Sequence, residues 1–202
     1  MSTAVRVGIQ DLHATCSELL RAAGVSSTHT KMVADVLVTT DSWGVFTHGT
    51  KLLGGYLTRV RAGGLRTDAD PRVVSEGGAW AIVDGESVFG QVVATFAMKT
   101  AIEKARGSGI GYVGVRNSCH FGAAGYYAWL AAKENMIGQA MANDVPSMGV
   151  LGAKNAVTGT NPFAFAAPAR AHDPILLDMA LSTVAGGKIF AAHQRGEPIP
   201  GE

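Results

Sequence analysis

Cysteine is scarce in this chain, with Cys16 and Cys119 the only two thiols in 202 residues. Two are too few for a disulfide framework and they are not arranged as CxxC, so a stapled secreted scaffold is not expected. A reducing, cytoplasmic setting fits that usage. Charge is sparse as well: 16% of residues are charged, the net charge is +1, and no run of Lys or Arg occurs. Nucleic acid and acidic membrane surfaces both need a clustered basic face, so neither is expected as a partner. Long apolar runs are missing too. Each is interrupted by Gly or a charge before about 18 residues, so no transmembrane helix is expected. The opening "MSTAVRVGIQDLHATC" has no basic region leading into an apolar core, so no export signal is read there.

What remains is apolar and rich in glycine. Apolar residues make up 47% of the chain, enough for a globular protein with a real core. The 26 glycines punctuate apolar runs, as in "GSGIGYVGV" and "SVFGQVV", the texture of α/β enzymes whose backbones approach each other or a ligand closely.

Periodicity places three helices first. Leu12, Cys16, Leu19, Leu20 and Ala23 share a stripe that Gly24 closes. Ser26 or Ser27 can cap a second helix with Val33, Val36, Leu37 and Thr40 inside. Leu52, Leu53, Tyr56, Leu57 and Val60 repeat at helical spacing as far as Gly63 and Gly64. Between the last two helices lies an apolar loop with His48 at its tip. "LRTDADP", residues 65–71, reads as a linker. Beyond it, "RVVSE" and "AWAIVDG" suggest a hairpin around Gly77 and Gly78, followed by a long helix over 88–106. "IGYVGVR", "MIGQAMAN", "PFAFAAPA" and "PILLDMA" read as strands, with helices over "GAAGYYAWLAAKEN" and about 183–195. Strands alternating with helices predict an α/β sheet with mixed pairing. The expected organisation is a helical subdomain over residues 1–68 and an α/β domain over 69–202.

Gly109, Gly111 and Gly114 spell a literal GxGxxG. A dinucleotide fingerprint needs those glycines after a strand and opening a helix; here they follow a helix and lie inside the strand. The Rossmann reading therefore fails on context, and close packing explains the glycines better. His120 stands where a buried strand gives way to a helix, beside Asn117 and Ser118. That is where ligands of open α/β sheets gather, although a histidine capping the helix would occupy the same place. Cys119 next to it suggests a metal, but no partner pair with zinc spacing exists and no metal is expected. Asn143, Asp144, Thr160 and Asn161 follow other strand-like runs, and Asp178 and Ser182 a third; each could equally be turn or cap chemistry.

Five segments in order then carry a resemblance: "DSWGVFTHG", "VRNSCHFGAAGYYA", "GTNPFAFAAP", "LLDMALS" and "GKIFAAHQRGEPIP". Along essentially its whole length the chain resembles the malate/L-lactate dehydrogenase family, typified by L-sulfolactate, ureidoglycolate and 2,3-diketogulonate dehydrogenases. The resemblance implies a homodimeric oxidoreductase with an N-terminal helical subdomain and a mixed-sheet, non-Rossmann domain for NAD or NADP. The reaction it implies is hydride transfer between the nicotinamide and a small 2-oxo or 2-hydroxy acid. Carried over residue by residue, His48 is the proton donor to the substrate carbonyl and His120 the second acid–base residue. Asp178, Met179 and Ala180 match the cofactor-binding segment, Asp144 falls at a substrate-contacting position, and Thr160 lies in the turn near the site. The chemistry agrees: hydride delivery to a ketone leaves an alkoxide, and histidine is the side chain suited to protonate it near neutral pH.

Three departures stand out. Thr47 replaces the usual serine before the first motif histidine, and Leu151-Gly152-Ala153 stands where the family has Trp-Gly-Gly. Leu52 occupies a position where many members place an arginine able to grip a carboxylate in bidentate fashion; the neighbouring Lys51 is a point charge without that fork. Family members also run well beyond 300 residues. An alternative reading is therefore a truncated, catalytically silent cofactor-binding or dimerisation remnant of such an enzyme.

Overall fold

The structure, a computed structural model, describes residues 6–199. Residues 1–5, which open the stretch read for an export signal, and Pro200, which ends the last motif, lie outside the described residues. The chain divides into two compact units, Met1–Gly122 and Ala123–Glu202.

The first unit begins with α1 (Ile9–Ala22) and α2 (Ser27–Ser42). Ser26 caps α2 by accepting from the His29 backbone N–H, satisfying one of the orphan donors of the first turn. A short 3-10 turn (Thr50–Leu52) leads into α3 (Leu53–Arg61). β1 (Arg72–Glu76) and β2 (Trp80–Asp84) pair antiparallel as the expected hairpin; α4 (Gly90–Ser108) then carries the chain to β3 (Tyr112–Arg116), parallel to β2. Leu20, Val33 and Leu37 from the helices join Val83, Phe89 and Val93 in a single core. Each large apolar side chain removed from water there contributes about 1.5–3 kcal/mol. That core runs on through the stretch read as a linker, with Leu65 buried in it. Helix α4 packs on α2 as well as on β2 and β3, so the helices and the first sheet are one body.

Two close approaches in this unit depend on glycine. A Cβ at Gly111 would overlap the Ala101 carbonyl, so the glycine of "GIGYVG" lets β3 lie against the backbone of α4 rather than against a phosphate. At Gly90 a Cβ would sit 2.5 Å from the His120 carbonyl oxygen and closer still to that of Cys119. The first turn of α4 thus seats the loop that carries His120.

The second unit is α5 (Ala124–Lys133), β4 (Gly138–Met141), β5 (Phe163–Ala169), β6 (His172–Met179) and α6 (Gly186–Arg195). Its sheet is antiparallel throughout, in the order β4-β5-β6. The mixed α/β architecture expected is thus built on two three-stranded sheets, the first mixed and the second antiparallel. Alternation along a strand marks its buried face but not its partner, so strand pairing was beyond the pattern. Small residues let α5 settle on this sheet: Ala128, Ala131 and Ala132 on the helix and Ala164 and Ala166 on β5 are all buried. On the outward face Met141, Ile175, Leu177 and Met179 are exposed. No helix among the described residues is long and apolar enough to cross a membrane.

Candidate active site

In the first unit the two motif histidines face each other. Their rings are 5.9 Å apart between centroids and inclined by only 25°. His48 comes from the loop between α2 and the 3-10 turn, and the local sequence fixes that loop at both ends. Gly44, at φ +80°, ends α2 in the left-handed conformation, and the Val45 amide returns to the Thr40 carbonyl. At the far end the Asp41 carboxylate accepts from the Thr50 backbone N–H (3.0 Å) and the Thr50 hydroxyl (2.5 Å). The Gly49 Cα lies so near this carboxylate that a side chain there would overlap it. Thr47, the residue standing where serine was expected, keeps a hydroxyl 2.9 Å from His48 Nδ1.

His120 is positioned from the strand side. Asp84, almost fully buried at the end of β2, receives the Glu86 backbone N–H, the Asn117 carboxamide and the Arg116 guanidinium. The Glu86 amide, then Asn117 and Arg116, hold the Asp84 carboxyl below the usual carboxylate range. Asn117, singled out as a possible ligand group beside His120, is thus spent on Asp84 and tethers the β3 end. Its φ of +50° turns the chain into the His120 segment.

The histidine Nδ1 lies 2.7 Å from the Tyr56 hydroxyl and 3.4 Å from the Gly122 backbone nitrogen. Tyr56 is 4% exposed, packed among the core residues of α3 and tilted against Phe89. Burial pushes its hydroxyl well above the ordinary tyrosine range, opposed by the neighbouring Gln91 carboxamide and by the Arg59 guanidinium. Gln91 is fully buried, and neither its nitrogen nor its oxygen reaches a partner in good hydrogen-bond geometry. Burial also raises the thiols of Cys16 and Cys119, so neither is an activated thiolate. Among the described residues no group of three His, Cys, Asp or Glu could hold a metal ion.

Leu52, at the position of the expected arginine, packs against the core and offers no hydrogen bond to a carboxylate, and Lys51 beside it is exposed.

The second unit gathers the remaining candidates at one end of its sheet. Register places Met179 opposite Phe163, which in turn pairs with Met141, so the end of β6, the start of β5 and the end of β4 coincide. Just beyond them the Thr160 hydroxyl donates to the Asp144 carboxylate at 3.0 Å, and the Asp144 amide donates to the Asn161 side chain at 3.0 Å. The Leu181 amide donates to the Thr160 carbonyl, tying the Asp178–Ala180 segment to the same turn. Asp178 accepts from the Gly125 backbone N–H at 2.8 Å, so its carboxylate fills the N-terminus of α5. The apolar side chain of Met179, 44% exposed, and the backbone running on through Ala180 stay presented at the sheet end.

Sequence reasoning treated Tyr56 only as a helical core residue and passed over Gln91 and Asp84. A buried tyrosine hydroxyl and a glutamine inside the apolar run "SVFGQVV" were the available signals, since each demands a polar partner.

Comparison with known proteins bears on what this arrangement serves. The malate/L-lactate dehydrogenase family model matches residues 7–202. A malate dehydrogenase of Pyrococcus abyssi is 43% identical over 196 residues, covering 97% of this chain and 54% of that protein. Ureidoglycolate dehydrogenase (NAD(+)) of Escherichia coli K12 is 33% identical over 196 residues, covering 97% and 56%. The crystal structure of malate dehydrogenase from Entamoeba histolytica superposes with a TM-score of 0.95 at 33% identity, covering 98% of this chain and 55% of that one. The chain spans about half the length of the curated relatives it matches. With its α/β fold and ordered motifs, the chain belongs to the malate/L-lactate dehydrogenase family.

Proposed function

We propose that the protein is an NAD(P)-dependent oxidoreductase acting on a small 2-oxo or 2-hydroxy acid, with His48 and His120 as its acid–base pair. The observation that carries this reading is the stacking of the two rings at 5.9 Å, each with its Nδ1 against a hydroxyl. Two imidazoles so close disfavour a double positive charge, so the pair holds one extra proton at a time. One ring then donates a proton to the developing alkoxide while the other stays neutral and donates a hydrogen bond. When bound, the nicotinamide supplies the hydride. In the second unit Met179 and Ala180 would hold that ring, with Asp178 fixing their position by anchoring β6 to α5. Thr160 contacts the substrate through its hydroxyl, oriented by its hydrogen bond to Asp144. A bare carboxylate would repel a 2-oxo acid, so Asp144 serves best as the group that turns Thr160.

A relative named for NAD(+) favours NAD as the cofactor. The reading includes a homodimer in the cytoplasm, and two unactivated thiols suit a reducing compartment. NADH or NADPH oxidation by the full chain against a panel of 2-oxo acids tests the proposal. Turnover is expected with NADH and at least one small 2-oxo acid. Cofactor binding without turnover on any of them would favour the silent-remnant reading instead.

A further inference from the structure

The hydrogen bond from Tyr56 to His120 has more chemistry in it than packing requires. Its partners lie 64 residues apart, on α3 and on the loop after β3, at 2.7 Å. The Gly122 backbone N–H points at the same Nδ1 from 3.4 Å. A backbone amide can only donate, so in neutral His120 Nδ1 is an acceptor, the Tyr56 hydroxyl donates to it, and the ring proton sits on Nε2. When His120 takes up a second proton, Nδ1 becomes a donor and Tyr56 must turn its own proton elsewhere. The fully buried Gln91 carboxamide stands beside that hydroxyl with its N–H side toward the phenol oxygen and both polar atoms short of partners, so turning the amide over presents Oε1 to the tyrosine proton.

We infer that Tyr56 is a positioning residue for His120, a two-way hydrogen-bond partner that fixes the Nε2–H tautomer when the ring is neutral and accepts from Nδ1 when it is charged, with Gln91 receiving the displaced tyrosine proton. The inference takes the acid–base role of His120 from the reading above. No proton leaves the trio in this exchange: His120 gains one at Nδ1, and the tyrosine O–H only rotates from Nδ1 to Gln91 Oε1. Burial keeps Tyr56 protonated throughout the working range, so its hydroxyl always has a proton to redirect. The bond to charged His120 is charge-assisted and stronger than the bond to the neutral ring, so Tyr56 favours the protonated form on balance. The other groups facing this ring are His48 across the stack, Cys119 beside it, and Arg59 one turn further along α3, whose field reaches both Tyr56 and Cys119. Helix α4 contributes the uncharged Gln91, beside the Tyr56 hydroxyl.

Nitrogen-15 NMR of labelled histidines in the full chain tests the assignment, with the His120 signals identified by their loss in His120→Gln. In the unsubstituted protein, neutral His120 should be the Nε2–H tautomer at more than about nine parts in ten. In Tyr56→Phe the titration midpoint of His120 should move to lower pH, and the acid limb of the kcat profile should move with it. Turnover should fall about tenfold at neutral pH with KM changed less than about twofold, since the hydroxyl does not touch substrate. Gln91→Leu should shift the midpoint in the same direction by a smaller amount, and it carries the test if Tyr56→Phe melts early. An Nδ1–H tautomer in the unsubstituted protein, or an unmoved His120 midpoint in both variants, would overturn the inference. The NMR readout needs no substrate. A shifted midpoint in a protein inert toward every 2-oxo acid would uphold the Tyr56 assignment while sinking the proposed function.

Discussion

Replacing His120 by alanine is expected to lower kcat by about 10²–10⁴-fold, the usual contribution of a positioned acid–base group. His48→Ala should fall in the same range. The double variant should cost little more than the more damaging single one, because two groups serving one proton-transfer step act as a unit and their losses do not multiply. Stability should fall by about 1–3 kcal/mol in His120→Ala, because the buried Tyr56 hydroxyl loses the Nδ1 acceptor that lies 2.7 Å away. Steady-state kinetics on the three variants, beside their urea midpoints, separate the two effects. A multiplicative loss in the double variant would mean that the histidines act on different protons. Unchanged rates in either single variant would remove that ring from the chemistry.

Gly90→Ala is the second large effect, and it acts from a distance along the chain. A methyl group there would press on the Cys119 and His120 carbonyl oxygens, both backbone atoms that cannot swing aside as a side chain would. Either α4 or the His120 loop must shift. Overpacking of this kind costs about 1–3 kcal/mol, against a gain of roughly 0.5–1 kcal/mol from alanine's better helix propensity. The net expectation is a lower urea midpoint together with a fall in kcat of at least about tenfold, because a ring displaced by 1 Å loses much of its catalytic advantage. Both changes should appear in the same protein. Lost stability with full turnover would show that the loop absorbs the strain without moving His120.

Much of this architecture was legible because it depends on local rules. The stripes of α1 to α3, the Ser26 cap, the hairpin of β1 and β2 and the place of His120 between strand and helix all follow from spacing and turn chemistry. The glycines of "GIGYVG" could be set aside as a nucleotide loop from context alone, and Gly111 lies against the Ala101 backbone. What escaped depends on contacts between distant residues. One core takes in both Leu37 and Phe89, and no local pattern announces that partnership. Tyr56 looked like a core residue because helical spacing is silent about where a hydroxyl points. Asn117 looked available because Asp84, 33 residues earlier, was not suspected of claiming it. Leu52 was noticed as a departure for the opposite reason: a single position in a motif can be read without knowing the fold. In the structure it is an ordinary packing residue.

The central claim, that this chain carries the machinery for reducing a 2-oxo acid, is tested most directly by isotope transfer. The full chain would be incubated with 4-deuterated NADH and a 2-oxo acid substrate, and the product examined by proton and deuterium NMR. The expected result is a 2-hydroxy acid with deuterium on C2 and a hydroxyl proton drawn from solvent, formed by the unsubstituted protein and not by the variant lacking both His48 and His120. NADH left intact across the panel, or deuterium on C2 at an undiminished rate without either histidine, would contradict it.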